Sequence, residues 1–155
     1  MPDPVLTPHD VAATINQMHT ATWAGATGVR IVSASRDEVV AELEVRPNHL
    51  QPHGIIHGGV HATVIETLAS IGAAIDATRH GKTVVGLENH TTFLHAARSG
   101  TLRATALPLT RGRRSQVWET TIRDAEGKIV ATGRVRLLVL EPEVQVGGTP
   151  LGSKI

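Results

Sequence analysis

The longest apolar stretch of the chain lies near its middle and carries one carboxylate. Over residues 58–75 the only formally charged side chain is that of Glu66. The larger apolar side chains recur at the spacing of one helical face: Val64, Leu68, Ile71 and Ile75. With Gly81 as a stop signal, the pattern predicts a helix over residues 59–79. A central charge would cost about 3 kcal/mol in a bilayer, so we expect a buried helix of a soluble protein rather than a membrane span.

The second half of the chain shows features of consecutive β-strands. Its apolar segments are separated by breaks with the composition of turns, namely Ser99-Gly100, Arg111-Gly112 and the sequence DAEG. The predicted strands lie in the sequences KTVVGLENHTTFLHAA, GTLRATALPLT, SQVWETTIRD and GKIVATGRVRLLVL. Consecutive strands joined by short turns form an antiparallel meander, and we expect the long helix to cover one face of this sheet.

The first third of the chain adds a helix and two strands. The sequence TPHDVAATINQMH opens with a threonine N-cap, a proline at the first helical position and an aspartate that completes a capping-box pattern, which predicts a helix over residues 7–19. Two strand segments follow around a turn at Arg36-Asp37. We expect a single α+β domain over residues 1–140, followed by a loose tail over residues 141–155.

Composition and charge exclude several functions. Of 155 residues, two are tryptophan, one is phenylalanine and none is tyrosine, so stacking on nucleobases is a poor fit. The net charge of +1 gives no general attraction to nucleic acid. The lack of cysteine excludes disulfides, thiolate nucleophiles and cysteine-based zinc sites. The segment MPDPVLTPHD lacks the basic and apolar regions of a signal peptide, so we expect a cytoplasmic protein that binds neither membrane nor nucleic acid.

Glu66 is notable because no residue near it on the predicted helix can neutralise it. Its neighbours on the helix surface are small and uncharged: Gly59, Ala62, Thr63, Ala69, Ser70 and Ala73. A solvated face would carry several charged residues, so we expect a second subunit to pack here. Most helical glutamates are simply the polar side of an amphipathic helix, but an isolated carboxylate in an apolar cleft favours a reactive group. Ser70, four residues later, is placed to hydrogen-bond to it.

The sequence His57-Gly58-Gly59 lies where the loop ends and the helix begins, so its backbone N–H groups lack partners within the helix. Glycines let a ligand approach this backbone, and the helix dipole favours negative charge there. Such a site suits an anion, or a carbonyl oxygen that becomes negative during acyl transfer. Taken alone, the glycine pair could equally be only a sharp entry turn. Together with Glu66, it suggests attack on an acyl group.

Three segments of the chain carry a family resemblance. The sequences GIIHGGVHATVIETLAS, VVGLENHTTFLHAARSG and PLTRGRRSQVWETTIRD resemble the hotdog-fold acyl-CoA thioesterases, nearest to the branch typified by the Arthrobacter-type 4-hydroxybenzoyl-CoA and the 1,4-dihydroxy-2-naphthoyl-CoA thioesterases. The resemblance runs from about Gly28 to Leu140. The neighbouring phenylacetate-pathway branch typically has aspartate on this helix, so Glu66 favours the first group.

This resemblance implies an antiparallel sheet wrapped around a long central helix, and hydrolysis of an acyl-CoA, here expected to be aromatic, to the free acid and CoA. It implies that the Gly58 N–H is the main oxyanion donor and that Glu66 is either the nucleophile or the general base. Gln51 and His57 match residues that orient the thioester or the water, and Ser70 matches the hydroxyl residue that positions the carboxylate.

Further residues are implied to contact the substrate: Gly59, Asn89, Thr92 and Phe93. Phe93 stands where the naphthoyl-CoA enzymes have a histidine, which leaves the acyl group open. The resemblance implies no metal or redox cofactor. It also implies homodimers that usually pair into tetramers, with each site lying across the dimer interface.

The turn sequence RGRR is a candidate site for the phosphates of coenzyme A. It contains Arg111, Arg113 and Arg114, and arginine binds phosphate bidentately. Arginines in turns are as often merely solvated, and the resemblance does not fix which of the three would touch a phosphate.

A run of histidines suggests a metal site, which other features oppose. His49, His53, His57 and His61 recur every four residues, the spacing that would gather them on one face of a helix. Prolines and glycines within the run prevent a helix through most of it, and the sequence contains no HExxH motif. We therefore expect no metal.

Two other functions are compatible with a hotdog domain. It could bind acyl-CoA without hydrolysis, as a ligand sensor, but the sequence shows no fused DNA-binding segment and retains Glu66. A hotdog hydratase would need an Asp-His pair on a characteristic loop–helix segment, and the sequence lacks one. Release of a free thiol separates both from a thioesterase.

Overall fold

The computed structural model describes residues 6–150, which form one six-stranded sheet, a short hairpin and three α-helices. The helices are α1 (Pro8–His19), α2 (Trp23–Thr27) and α3 (Gly58–Thr78). The strands of the sheet are β1 (Arg30–Ala34), β2 (Val39–Glu44), β3 (Thr83–Phe93), β4 (Thr101–Arg111), β5 (Ser115–Arg123) and β6 (Ile129–Leu140). The hairpin consists of β7 (Gln145–Val146) and β8 (Thr149–Pro150).

Helix α3 is the central element of the fold. It packs on β2, β3, β4, β5 and β6, and its fully buried residues include Ile65, Leu68 and Ala69. Its length and mean hydropathy of 1.3 would also suit a membrane span, but half of that apolar window is buried inside the fold. Helix and sheet together form the hotdog arrangement, an α+β fold, that the sequence predicted.

The strand order of the sheet is β1-β2-β4-β5-β6-β3, with every neighbouring pair antiparallel. Strands β4, β5 and β6 form the predicted meander. The prediction was wrong for β3, which pairs with β6 at the far edge instead of with β4. Strand β4 pairs with β2 instead, so that Leu43 lies opposite Leu102 and both are buried. The loop after β3 returns past β6, where the N–H groups of Leu94 and His95 both donate to the carbonyl of Val130.

Close packing of α3 on the sheet requires a glycine within the helix. A Cβ added at Gly72 would lie 2.3 Å from Cη2 of Trp118. The Trp118 indole is fully buried, and its Nε1–H donates to Gln116 Oε1 at 2.9 Å. Gln116 in turn donates to the buried carboxylate of Asp76 at 3.0 Å. A buried polar chain therefore connects the last turns of α3 to β5.

The described chain begins near helix α1 and ends with a short hairpin. Helix α1 begins at Pro8, with Thr7 as its N-cap and Asp10 completing the capping box, within one residue of the predicted start. In the predicted tail over residues 141–155, residues 145–150 contain the β7–β8 hairpin. Residues 1–5 and 151–155 lie outside the described part of the chain.

Candidate active site

The carboxylate of Glu66 is held by two hydrogen bonds from uncharged side chains. Ser70 Oγ donates to Glu66 Oε1 at 3.3 Å, and Asn89 Nδ2 donates to Glu66 Oε2 at 3.1 Å. Asn89 Nδ2 also lies 3.1 Å from the carbonyl oxygen of Ala62. Asn89 therefore bridges strand β3 to helix α3 and fixes the carboxylate between them. Within residues 6–150, Glu66 forms no salt bridge.

Strand β3 leaves space for this carboxylate at Gly86. A Cβ added at Gly86 would lie 2.6 Å from Glu66 Oε1, closer than real contacts allow. The pairing of β3 with β6 also shifts register between Gly86 and Glu88. The chain is therefore shaped at this point to accept the end of the glutamate side chain.

The predicted uncharged face around Glu66 is smaller than expected. Ala62, Thr63 and Ser70 are half-buried, but Ala69 and Ala73 are fully buried within the chain. Ala69 and Ala73 are thus covered by the chain itself, and the packing of a second subunit on the rest of this face stays a prediction.

The first turn of α3 provides the second part of the site. His57 is the N-cap, and its Nδ1 accepts a hydrogen bond from the Gly59 N–H at 2.9 Å. The proton of the neutral imidazole therefore lies on Nε2. Within the described residues the N–H of Gly58 has no acceptor. That N–H is thus the group at this helix end that is available to a ligand.

Two cavities are lined by residues at this helix end. One is a space of about 320 Å³ whose lining includes Gln51, Gly58, His61 and Phe93. The ring of Phe93 lies over Gly58, and a Cβ added there would be 2.5 Å from Phe93 Cζ. His57 and Gly59 line a second, larger space of about 710 Å³. Gly58 therefore lines one cavity, and its two neighbours in sequence line another.

Glu66 also lines a third cavity, of about 350 Å³. The other lining residues belong to the three helices and the N-cap of α2 and are mainly apolar: Ile15, Met18, His19, Thr22, Trp23, Ala24, Thr67, Ser70, Ile71, Ala74 and Ile75. Trp23 stands at its rim, largely exposed, and its Nε1–H donates to Thr63 Oγ1 at 3.0 Å. An apolar chamber next to a carboxylate suits an acyl group with its carbonyl near that carboxylate.

Gly58 and Glu66 are eight residues apart on one helix. At 1.5 Å per residue their backbones are separated by about 12 Å along the axis. A single thioester carbonyl would have to lie within about 3 Å of both the oxyanion donor and the attacking group. The two parts of the site in one chain are too far apart for that.

The three arginines of the basic turn differ in their contacts. Arg111 Nη1 donates to the Arg36 carbonyl at 2.8 Å and to Asp37 Oδ1 at 2.9 Å. Arg113 and Arg114 form no salt bridge within residues 6–150, and together with Lys82 they line a groove of about 370 Å³. Arg111 is thus committed to the β1–β2 turn, and Arg113 and Arg114 are more available to an anion.

The four histidines considered above for a metal site do not form one within the described residues. His49 is buried, its Nδ1 accepts from the Arg46 N–H at 3.0 Å, and its Nε2 lies 2.9 Å from the Thr27 carbonyl. In residues 6–150 no three histidine, aspartate or glutamate side chains converge in a way that would hold a metal.

Of the remaining candidates, Gln51 borders the same cavity as Gly58, whereas exposed Thr92 on β3 borders none of the three cavities described above. The contact between Asn89 and Glu66 was not predicted, since Asn89 was expected to contact the substrate. Trp23 was not predicted as a site residue, and His61 was considered only as part of the histidine run. Only the pairing of distant segments reveals these contacts, because Asn89 and Glu66 are 23 residues apart in sequence.

Comparison with known proteins identifies the family. Residues 53–131 match the family described as "Thioesterase superfamily". The chain belongs to the thioesterase superfamily. The matching segment begins two residues after Gln51. It includes both parts of the site on α3 and all of strands β3 to β5.

Individual members of this superfamily are similar over most of their length. The chain is 43% identical over 116 residues to the Mycobacterium tuberculosis (strain ATCC 25618 / H37Rv) protein named "Putative esterase Rv1847". The aligned segment covers 74% of this chain and 83% of that protein. The chain is 37% identical over 112 residues to the 1,4-dihydroxy-2-naphthoyl-CoA hydrolase of Listeria monocytogenes serotype 1/2a (strain 10403S), covering 72% and 90%. The crystal structure of thioesterase HI1161 from Haemophilus influenzae superposes with a TM-score of 0.80 at 32% identity, covering 89% and 93%. As a member of this superfamily, the chain is a thioester hydrolase.

Proposed function

We propose that this thioesterase hydrolyses an acyl-CoA, with an aromatic acyl group, at sites shared between two copies of the chain. The observation that carries the proposal is the Glu66 carboxylate. Ser70 and Asn89 hold it in place, Glu66 lines an apolar cavity, and within residues 6–150 no basic side chain pairs with it. A carboxylate in that setting is a suitable base or nucleophile.

The distance between the two parts of the site supports a shared site. Because Gly58 and Glu66 of one chain are about 12 Å apart along α3, the oxyanion donor of one copy must act with the carboxylate of another. Two copies related by a two-fold axis, with their α3 helices antiparallel, bring Gly58 of each towards Glu66 of the other. Two equivalent sites per dimer result.

Strand β3 offers the surface for such a dimer. It is an eleven-residue edge strand that pairs on one side with β6 and leaves its other edge free within the described chain. Long exposed edge strands are templates for pairing with another chain. Leu87 and Phe93 on this strand are 52% and 60% exposed. Pairing of β3 with β3 of a second copy would continue the sheet across the interface.

The cavity at Glu66 is proposed to receive the acyl group. Its volume of about 350 Å³ is roughly twice that of an engineered apolar cavity of about 150 Å³ that binds benzene. The lining by Met18, Trp23, Ile71 and Ile75 suits an aromatic ring. The relative from Listeria is named for a naphthoyl-CoA substrate, which supports an aromatic acyl group here as well.

In the proposed reaction, the Gly58 N–H donates to the thioester carbonyl oxygen and stabilises the negative charge that develops on it. Glu66 either attacks the carbonyl carbon, giving a mixed anhydride that water then hydrolyses, or takes a proton from the attacking water. In both routes the C–S bond breaks and CoA leaves as the thiol. The chemistry requires no metal or redox cofactor, and we propose that the enzyme acts in the cytoplasm.

Arg113 and Arg114 are proposed to bind the CoA phosphates. They lie near the C-terminal end of α3, since Arg113 shares a groove with Asp76 and His80. In an antiparallel pair of helices this end of one copy lies on the same side as Gly58 of the other. The arginines of one chain would then serve the substrate that is bound to Gly58 of its partner.

Thiol release from benzoyl-, hydroxybenzoyl-, naphthoyl- and straight-chain acyl-CoAs tests this function. The wild type should release thiol from the aroyl-CoAs, and Glu66→Gln should reduce kcat by at least ~100-fold, as expected for loss of a base or nucleophile. Glu119→Gln is the matched control, because Glu119 forms a surface ion pair with Arg134 at 2.9 Å, away from the cavities described above. Its activity should equal that of the wild type.

Other outcomes would favour different functions. Turnover of straight-chain acyl-CoAs alone would refute the aromatic assignment. Binding of acyl-CoA without any thiol release would refute hydrolysis of these substrates and favour a ligand sensor. Equal activity of Glu66→Gln and wild type would remove Glu66 from the mechanism.

A further inference from the structure

The cavity of about 320 Å³ beside Gly58 contains a histidine that the proposed mechanism does not use. Two segments of the chain line it. Residues of the loop before α3 and of its first turn form one part, and residues from the end of β3 and the following loop form the other: Gln51, Ile55, Ile56, Gly58, His61, Phe93, Leu94, His95, Ala96 and Ala97. His61 is 4% exposed, and its ring centroid lies 6.1 Å from that of Phe93. The imidazole is thus enclosed between α3 and an apolar wall.

One nitrogen of His61 is buried without a partner. Nδ1 has no hydrogen bond and is closed to solvent, whereas Nε2 is not closed off in this way. Burial lowers the pKa of His61 below its usual value, so the ring is neutral near pH 7. An orphaned buried N–H is rarer than an orphaned buried acceptor, which favours the lone pair on Nδ1 and the proton on Nε2. Nε2–H is then a donor towards the cavity.

The other polar groups of the cavity have fixed roles as well. Gln51 Oε1 accepts from the His53 N–H at 2.7 Å, which leaves the Gln51 NH₂ group as a donor. His95 Nδ1 lies 2.9 Å from the Ile129 carbonyl and donates to it, so that in the neutral ring His95 Nε2 is an acceptor. With the Gly58 N–H, the cavity therefore presents three donors and one acceptor.

The ligand group that matches this set is neutral. No lysine, arginine, aspartate or glutamate lines the cavity, and burial of an uncompensated charge would be costly. A secondary amide fits, because its carbonyl oxygen accepts from a donor and its N–H donates to an acceptor. An acyl-CoA carries such an amide on its thiol arm, two carbons from the sulfur.

We propose that His61 binds the first amide of the thiol arm of the substrate, with Nε2–H donating to the amide carbonyl oxygen. His61 is three residues after Gly58, about 4.5 Å further along α3. An extended chain from the thioester carbonyl carbon through sulfur to the amide nitrogen spans roughly 5 Å, by ordinary bond lengths. A carbonyl bound at Gly58 therefore brings the amide to His61. This inference rests on the proposed function.

The test compares two benzoyl thioesters that differ in this amide. One is the N-acetylcysteamine thioester, which contains the amide, and the other is the S-pentyl thioester, which has a similar length and lacks it. His61→Leu should raise KM for the N-acetylcysteamine thioester by about 3- to 10-fold with little change in kcat, the size expected for one neutral hydrogen bond. The KM for the S-pentyl thioester should change by less than about twofold. His61→Gln, which retains an N–H donor near the position of Nε2, should preserve the preference for the amide.

A direct binding measurement separates this inference from the proposed function. Calorimetric titration of pantetheine should show weaker binding by about 3- to 10-fold in His61→Leu, whether or not any thioester is hydrolysed. An equal rise in KM for both thioesters in His61→Leu would show that His61 has only a structural role. An unchanged KM for both would show that it has no role in binding. Either result overturns the proposal. Unchanged affinity for pantetheine overturns it as well. Absence of hydrolysis with retained, His61-dependent pantetheine binding would refute only the hydrolase proposal.

Discussion

The N–H group of Gly58 can be removed with little disturbance of the backbone. Gly58 is the first residue of α3, where proline is tolerated, and His57 before it has φ −66° and ψ 135°, which suits a residue that precedes proline. Gly58→Pro should lower kcat by about 100-fold, the effect of losing one oxyanion donor. The measurement is the steady-state rate of thiol release from an aroyl-CoA.

Gly58→Ala is the matched control for this change. Alanine keeps the N–H but places a Cβ against the ring of Phe93, at 2.5 Å before any adjustment, as proline would. The ratio of the two variants therefore isolates the N–H from crowding by Phe93. Equal kcat values for Gly58→Pro and Gly58→Ala would contradict an oxyanion role for this group.

Asn89 is expected to position the Glu66 carboxylate rather than to bind the substrate. Asn89→Ala removes the donor at 3.1 Å from Glu66 Oε2. A hydrogen bond to a charged group is worth about 1.5–3 kcal/mol, so kcat should fall roughly 10-fold or more while KM changes little. His90→Ala, the adjacent change on the opposite face of β3, should leave both constants unchanged. A rise in KM alone for Asn89→Ala would restore the substrate-contact interpretation.

The residues of the site differ in how far the sequence predicts them. Glu66 and Ser70 are four residues apart on a predicted helix, so their contact follows from helical geometry. The contact of Asn89 with Glu66 depends on how β3 lies over α3, and no local pattern contains that information. The orphaned Nδ1 of His61 is likewise visible only once the segments that bury it are in place.

Replacing Gly72 of helix α3 by alanine should have two opposing effects on stability, one on the helix itself and one on its packing against the sheet. Alanine at position 72 would raise intrinsic helix stability by about 1 kcal/mol. Its Cβ would, however, lie 2.3 Å from the fully buried Trp118 ring. Overpacking of this kind costs about 1–3 kcal/mol, so Gly72→Ala should lower the free energy of unfolding in urea.

Replacement of the indole provides the control for Gly72→Ala. In a Trp118→Leu background the Cβ has room, and the added alanine should no longer destabilise the protein. The difference between the two backgrounds is the interaction free energy of the pair. Gly72→Ala that stabilises the protein with Trp118 in place would contradict the packing described for α3 on β5.

The sequence predicted the elements better than their arrangement. The bounds of α3 followed from the glycines before it and the apolar period within it, and they differ from the prediction by one residue at each end. The position of β3 beside β6 did not follow, since short turns favour pairing of neighbours. The fold departs from that rule because the loop after β3 leads across to β4, which pairs with β2.

The arrangement of the whole molecule follows from this placement of β3. Strand β3 is an edge strand of eleven residues, and through Asn89 it also holds Glu66 in place. It would therefore connect the proposed dimer interface to the chemistry. Pairing of two β3 strands would add order to the strand that orients the carboxylate. The same edge would then determine both whether the protein dimerises and whether the site is complete.

Mixed dimers test whether each site uses two chains. Glu66→Gln and Gly58→Pro should each be nearly inactive alone, but a dimer with one chain of each kind has one site with both defects and one site with none. Random assembly of equal amounts makes about half of the dimers mixed, so the refolded mixture should regain about one quarter of wild-type activity. The measurement is thiol release after the two variants are unfolded together and refolded, compared with each variant refolded alone. If Gly58 and Glu66 of the same chain formed the site, every chain in the mixture would remain defective and no activity would return.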